Sequence, residues 1–314
     1  MYMFKYILKR LGLMIMTFAV IMLSCFVLIK LLPIPIAAAM GQDKAFLEAQ
    51  LKARGYYDPI MVQLFNYLKR IFLDGDFGMG VNMPGFSGKP VWDAFVSRIP
   101  PTVVLNVLSS VIGVPIGLGI GIFAALKKNK WEDHVISTGV MVLISVPSIV
   151  YAFLIQYLIC FKAEWFPIRF DQDRYLESLM PAVLSLCLGS IAGYARGTRA
   201  ELSEVLTNEF MLLARTKGLT RGQATLRHAL RNSMVVIFPS ILGEFVTVLS
   251  GSLIIENIFD IPGVGRLYLD SINSLDYDFF MMLSGFYCLI GLLAGIIVDI
   301  SYGFIDPRIR MGAK

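Results

Sequence analysis

The sequence predicts an all-α polytopic membrane protein with six transmembrane helices. Three observations carry this. Of 314 residues, 56% are hydrophobic and 16% charged, against about a quarter charged in an ordinary soluble domain, and the mean hydropathy is +0.69. The apolar residues gather in six blocks, each long enough for the roughly 20 residues that cross a bilayer. The basic residues gather at the ends of those blocks, where they set orientation.

The blocks run Leu11–Leu32, Pro101–Leu126, Val135–Phe161, Leu179–Ala200, Met234–Ile255 and Phe279–Phe304. A chain in lipid must satisfy its own backbone hydrogen bonds, so each block reads as a helix. The first follows Lys5, Lys9 and Arg10, is too long for a signal-peptide core and has no prompt A-x-A-like site. It is read as a retained span. The turn Lys127-Lys128-Asn129-Lys130 belongs in the cytosol by its three positive charges. The amino-terminal bases, the seven Lys or Arg between Arg196 and Arg231, and the tail with Arg308, Arg310 and Lys314 fall on the same side. Lys162–Ser178 mixes three positives with four acids and falls outside. Both termini are therefore expected to be cytosolic.

The organisation read from these spans has four parts. Residues 1–32 hold the amino-terminal end and first span. Residues 33–99 form an extracytoplasmic loop, and 100–304 a five-helix core with a cytosolic loop at 201–232. Residues 305–314 are a cytosolic tail. In the first outer loop, Met61, Leu64, Phe65, Leu68 and Phe72 recur at helical spacing, with Lys69 and Arg70 off the stripe. This predicts an amphipathic helix on the outer membrane face or packed on the bundle. Asp74 to Pro90 is rich in Gly and Pro and reads as loop.

Composition narrows function. The net charge of +5 does not form a nucleic-acid surface, because the bases sit at span ends. Cys25, Cys160, Cys187 and Cys288 lie in or beside apolar stretches and read as small buried hydrophobes. With only His134 and His228, no metal site is expected. Gly117, Gly119 and Gly121 lie mid-helix with no strand before them, so they are not a dinucleotide loop. Gly88-Lys89 lacks the upstream glycine of a phosphate loop and is followed by Pro90. The chain itself therefore carries no visible means of hydrolysing ATP.

Small residues four apart let membrane helices approach closely. Gly113, Gly117 and Gly121, continued by Ala125, form one such row; Gly189, Gly193 and Gly197 form a second; Gly291 and Gly295 form a third. Glu244 is the acid nearest the middle of a span. An intramembrane carboxylate is costly, so it should face a cavity or a partner, or be protonated. Two roles stay open: lining a translocation path, or a structural hydrogen bond to another helix. Arg196, Arg199 and Asp299, near inner span ends, read as solvated anchors. Glu256 reads as wet at an outer helix end.

The 201–232 loop is the most informative segment. Val205, Phe210, Leu213 and Ala214 suggest a helix, and Gly218 after Lys217 a stop. Thr220 with Gln223 makes a capping-box pattern for a second short helix. Glu209, Leu213, Ala214, Arg215, Lys217, Gly218, Arg227, His228 and Arg231 are its candidate contact residues. A basic loop touching anionic lipid is the alternative.

The stretch Ala214-Arg-Thr-Lys-Gly218-Leu followed by Leu226-Arg-His-Ala-Leu-Arg-Asn232 resembles the EAA loop of binding-protein-dependent ABC-transporter permeases, in the oligopeptide, dipeptide and nickel branch. The resemblance covers essentially the whole chain. Gly75-Asp-Phe-Gly78, Ile99-Pro-Pro-Thr102 opening the second helix, and Val146-Pro-Ser148 occur in the family's order. So do Ile255-Glu-Asn-Ile-Phe259, Pro262-Gly-Val-Gly265 and Asp306-Pro-Arg308. The Glu and first Ala of the founding EAA pattern align with Leu212 and Leu213, and Glu244 falls where relatives often carry a neutral residue.

The resemblance implies a type I importer permease, multi-pass in a bacterial or archaeal cell (inner) membrane. Its implied partners are a second permease subunit, two ATPase subunits, an extracytoplasmic substrate-binding protein and membrane lipid. ATP and Mg would sit on the partner subunits, with no cofactor on this chain and no catalytic residue. Oligopeptides are the favoured substrate, with dipeptides or nickel chelates as alternatives. From other classes, an ion-coupled carrier would need paired intramembrane charges or inverted repeats. An intramembrane enzyme would need a buried His/Asp/Ser constellation, which the sequence does not offer.

Overall fold

The computed structural model describes residues 2–31, 48–49, 52–53, 55 and 57–305. Leu32 and the start of the first loop lie outside the described residues, as do Asp306-Pro-Arg308, Arg310 and Lys314. The first helices are α1 (Tyr2–Lys30), α2 (Ile60–Asp74) and α3 (Val91–Leu126). Then come α4 (Trp131–Ser145) and α5 (Ser148–Ile155), which a π-helical stretch, Gln156–Lys162, continues. Next are α6 (Tyr175–Val205), α7 (Glu209–Thr216) and α8 (Arg221–Ala224). A π-helical turn, Thr225–Ala229, leads into α9 (Leu230–Thr247). The chain finishes with α10 (Leu253–Ile258), α11 (Val264–Asn273) and α12 (Tyr277–Ile305).

Five helical segments are long and apolar enough to span a membrane, or six if α4 and the α5 segment form one broken span. That pair bends by 96°, which corrects the continuous third span read from the sequence. The cause is local. Val146 is extended (φ −84°, ψ 125°) before Pro147, as a residue preceding proline prefers, and proline lacks the N–H a helix needs. The second span also differs. Ile99-Pro-Pro-Thr102 lies inside α3 rather than opening it, because Val91, Ala94 and Phe95 already present a packed face at 0–3% exposure. The fifth is interrupted after Thr247 by a 3-10 turn and by Gly251 at φ 68°.

The chain divides into two compact units. The first comprises Met1–Pro100 and Pro262–Leu292. Within it, the Gly75-Asp-Phe-Gly78 signature has a physical reading. Gly75 closes α2 in a left-handed C-cap, its N–H bonding the Arg70 carbonyl, a conformation glycine adopts without a Cβ penalty. The Asp76 carboxylate accepts from the Gly78 N–H at 2.8 Å, and Phe77 stacks on Trp92. Gly78 (φ 98°) has no room for a Cβ beside Asp278. The rest of that loop hangs on Asp276, whose Oδ2 accepts from the N–H groups of Val81, Asn82 and Met83 at 2.6–3.2 Å. Burial pushes this carboxyl up, against the pull of the Asn82 and Val81 N–H groups.

The amphipathic helix predicted at Met61–Phe72 is α2, and of the predicted stripe Leu64 packs on the bundle while the rest is left open, as a face turned to the membrane surface would be. Leu64 and Tyr67 pack against the cluster of Phe26, Ile29, Tyr277 and Met281, while Met61, Phe65 and Phe72 are exposed. Arg70 shares the packed side because Asp278 pairs with it at 2.8 Å.

The second unit comprises Pro101–Ile261 and Leu293–Lys314. Here the first glycine row is a tight interface. A Cβ on Gly113 would lie 3.0 Å from the Cβ of Ser190; on Gly117, 2.9 Å from the Ile191 carbonyl; on Gly121, 2.7 Å from the Ala195 carbonyl. So α3 runs backbone to backbone against α6. The second row does not meet the first: a Cβ on Gly189 would lie 3.3 Å from the Tyr151 hydroxyl, while Gly193 and Gly197 have nothing within 4 Å inside the chain. Gly291 and Gly295 are likewise open.

Gly121→Leu is expected to destabilise the protein by about 1–3 kcal/mol by overpacking against fixed backbone. Gly197→Ala should be neutral or better, since alanine favours helix. Thermal melts of the two variants in detergent check this, and equal melting points would reject the interface.

Two charged groups depart from the sequence reading. Arg199 is no solvated anchor: its Nε and Nη2 donate to both carboxylate oxygens of Asp133 at 2.6 and 2.8 Å. Asp133 is 1% exposed and also accepts from the Asn129 N–H and the Ser137 hydroxyl. Glu256, expected to be wet, is fully buried and accepts from the Thr102 hydroxyl at 2.9 Å. Its carboxylate lies where a Gly251 Cβ would stand, so the positive φ of Gly251 and the burial of Glu256 form one feature.

Candidate functional site

The loop between α6 and α9 is built as a small seated platform. Met211 and Ala214 are buried, in one cluster with Ala125, Leu202, Ala224 and Ala229. The sequence placed Phe210, Leu213 and Ala214 on one face. The structure instead turns Phe210 and Leu213 outward, with Leu212 at 66% exposure the most open of the three. The signal for the true seat was the Met211–Ala214 spacing of three. Ala214 is thus a seat, not a surface residue.

α7 stops at Gly218, where φ is 90°, the left-handed region in which only glycine is unstrained. The Ala214 carbonyl accepts from the Leu219 N–H across this turn at 3.3 Å. Thr220 then caps α8 with both halves of the predicted capping box: the Gln223 N–H donates to the Thr220 hydroxyl, and the Thr220 N–H to the Gln223 side chain. Around this turn Glu209, Arg215, Lys217, Arg227, His228 and Arg231 are all exposed. The platform thus presents an apolar centre, Phe210 with Leu212 and Leu213, ringed mostly by cations. Leu212, absent from the sequence-derived set, belongs to it.

Glu244 on α9 is held by two other helices. The hydroxyls of Ser110 on α3 and Ser190 on α6 donate to its Oε1 at 3.0 and 3.1 Å. The open glycines lie close by along α6. Gly193 and Gly197 line a cleft of about 300 Å³ between α6 and α9, with Ser190, Tyr194, Thr198, Glu201 and Ser240. The Thr198 hydroxyl is buried there without a hydrogen-bond partner. So Gly193 and Gly197 form part of the wall of a cleft, and one of its lining residues, Ser190, is a donor to Glu244.

Long apolar helices, a cleft between two of them and a short seated helix pair are the features of a polytopic helical membrane protein. Residues 117–311 match the family described as binding-protein-dependent transport system inner membrane component, and 3–106 match its N-terminal companion. The chain belongs to this family and is a multi-pass protein of the inner membrane.

It is 33% identical to the dipeptide transport system permease protein DppB of Bacillus subtilis, covering 99% of both chains. It is 30% identical to the glutathione transport system permease protein GsiC of Escherichia coli K12, covering 98% of this chain and 99% of that one. A probable peptide ABC transporter permease of Sinorhizobium fredii, y4tP, is 32% identical over 97% of this chain and 99% of its own. The crystal structure of an amino acid ABC transporter with histidines shares the fold at a TM-score of 0.54 and 20% identity. It covers 67% of this chain and 94% of that one. The fold is that of a type I ABC importer permease.

Proposed function

We propose that the chain forms half of the membrane pore of an ATP-driven peptide importer, with a second, different permease subunit as the other half. Two ATPase subunits dock on the cytosolic side, and a binding protein delivers substrate outside. The platform of α7 and α8 carries the reading: an exposed apolar centre in a basic ring, rigidly seated, is what a groove on an ATPase could grip. Both termini then face the cytosol, on the platform's side. Closure of the ATPase pair would move the platform and tip the spans between inward- and outward-facing states, a two-state element biased by its ligand. ATP and Mg act in the partner subunits.

The substrate class is peptide. Oligopeptides are the reading from the sequence. The dipeptide and glutathione relatives support the shorter end of the same class. Two measurements test this together. The full-length chain solubilised in detergent should bring ATPase subunits with it, and cells carrying the system should take up labelled peptides in an ATP-dependent way. Consistent purification without ATPases would sink the proposal.

We place Glu244 on the path rather than in a purely structural role; the support is Ser190, which lines the cleft of Gly193 and Gly197 and donates to Glu244. Glu244→Gln keeps a carbonyl for Ser110 and Ser190, so the fold should persist. Losing a charge-assisted contact, about 1.5–3 kcal/mol, should lower uptake by about tenfold or more. Unchanged uptake kinetics and substrate range would remove Glu244 from the path.

A further inference from the structure

A second cleft, of about 190 Å³, opens between α4 and α6. One wall is apolar, with Ile136, Val140 and Met141; the other holds Arg196 and Arg199, with Ser137 between. Arg199 commits two N–H groups to Asp133, so the rest of its donor fork remains for another acceptor. Arg196 is exposed, and no ion pair or hydrogen bond engages it among the described residues. Two guanidinium groups lining one cleft, with no carboxylate there except the one Arg199 already holds, favour an anion.

The depth fits a lipid. Trp131, at the start of α4, is 73% exposed and follows Lys127, Lys128 and Lys130, the aromatic and basic residues of a membrane–water boundary. At 1.5 Å per residue, Ser137 lies about 9 Å below Trp131 along α4, and Met141 about 15 Å. Arg199 bonds Asp133, about 3 Å along α4 from Trp131, and Arg196 lies about 4.5 Å further in along α6, which sets the charged half at headgroup level and Val140 and Met141 at acyl level. Met141, at 68% exposure, opens the apolar half sideways.

We propose that this cleft binds an anionic phospholipid, its phosphate on Arg196 and the free part of Arg199, and an acyl chain on Ile136, Val140 and Met141. Guanidinium suits phosphate because its planar fork bonds two oxygens at once. Basic pockets between spans are the usual form of such sites.

The test uses the assembled transporter in phosphatidylcholine nanodiscs, titrated with phosphatidylglycerol and read by native mass spectrometry. Saturable phosphatidylglycerol binding is expected, weakened about tenfold in Arg196→Gln and partly restored in Arg196→Lys. Val140→Trp, which fills the apolar half, should weaken it too and stands in if Arg196→Gln fails to assemble. Arg169→Gln, on an exposed arginine paired with Asp260, should match the unsubstituted protein. Equal binding by Arg196→Gln, equal retention of phosphatidylcholine, or displacement by inorganic phosphate would each overturn the lipid assignment.

Discussion

Gly218→Val is expected to cut peptide uptake by roughly 5- to 150-fold while ATP hydrolysis by the assembled complex continues uncoupled. The reason is backbone, not space. A Cβ at Gly218 would meet nothing within 4 Å, but the φ of 90° is one that a β-branched residue resists. Holding it there costs about 1–3 kcal/mol, which lowers the docking geometry by roughly 5- to 150-fold. The strain falls between α7 and α8, where a two-state coupling element must stay rigid. The membrane helices are untouched, so circular dichroism and folding yield should not change. Gly222→Ala is the control, since Gly222 sits in α8 without a positive φ and with open space around it. Uptake and ATPase rates in proteoliposomes decide the matter; undiminished coupled transport by Gly218→Val would remove the platform's assigned role.

Arg199→Met is expected to cause the largest loss of stability of any substitution considered. It strands Asp133, 1% exposed, with only the Asn129 N–H and the Ser137 hydroxyl as donors. Breaking a buried pair from one side costs about 3–5 kcal/mol. In a domain of this size that lowers the melting temperature by roughly 10 °C. The reverse change, Asp133→Leu, should cost less, because the Arg199 side chain is 34% exposed and can turn to water. The double variant should recover most of the loss, since matched apolar groups can replace a buried pair with little penalty. A thermal melt series on the four proteins, in one detergent, measures the cycle. Additive losses would show that the pair does not act as a unit.

Much of the platform was legible in sequence. The stop at Gly218 and the capping box of Thr220 and Gln223 are local, each set by residues within one turn. The phase of α7 was not. Phe210, Met211, Leu212 and Leu213 are all apolar, so periodicity within the helix cannot rank them; contact with Leu202 and Ala224 does. The same limit explains the glycine rows. Gly113 and Gly193 look alike in a helical wheel, and only the neighbouring helix decides that one is an interface and the other a cleft wall. Glu256 and Arg199 misread for a related reason. Their partners, Thr102 and Asp133, lie 154 and 66 residues away.

The sequence by itself determined the class of this protein: apolar blocks of bilayer length, bases at their ends, and a short motif order that matches the permease family. These are one-dimensional quantities, because the membrane is a slab that reads length and hydropathy directly. Only the tertiary structure decided which face of each span packs, where Val146-Pro147 breaks the third, and which charges are buried. Those outcomes depend on side chains brought together from distant segments, and their free energies come from mutual fit rather than from composition.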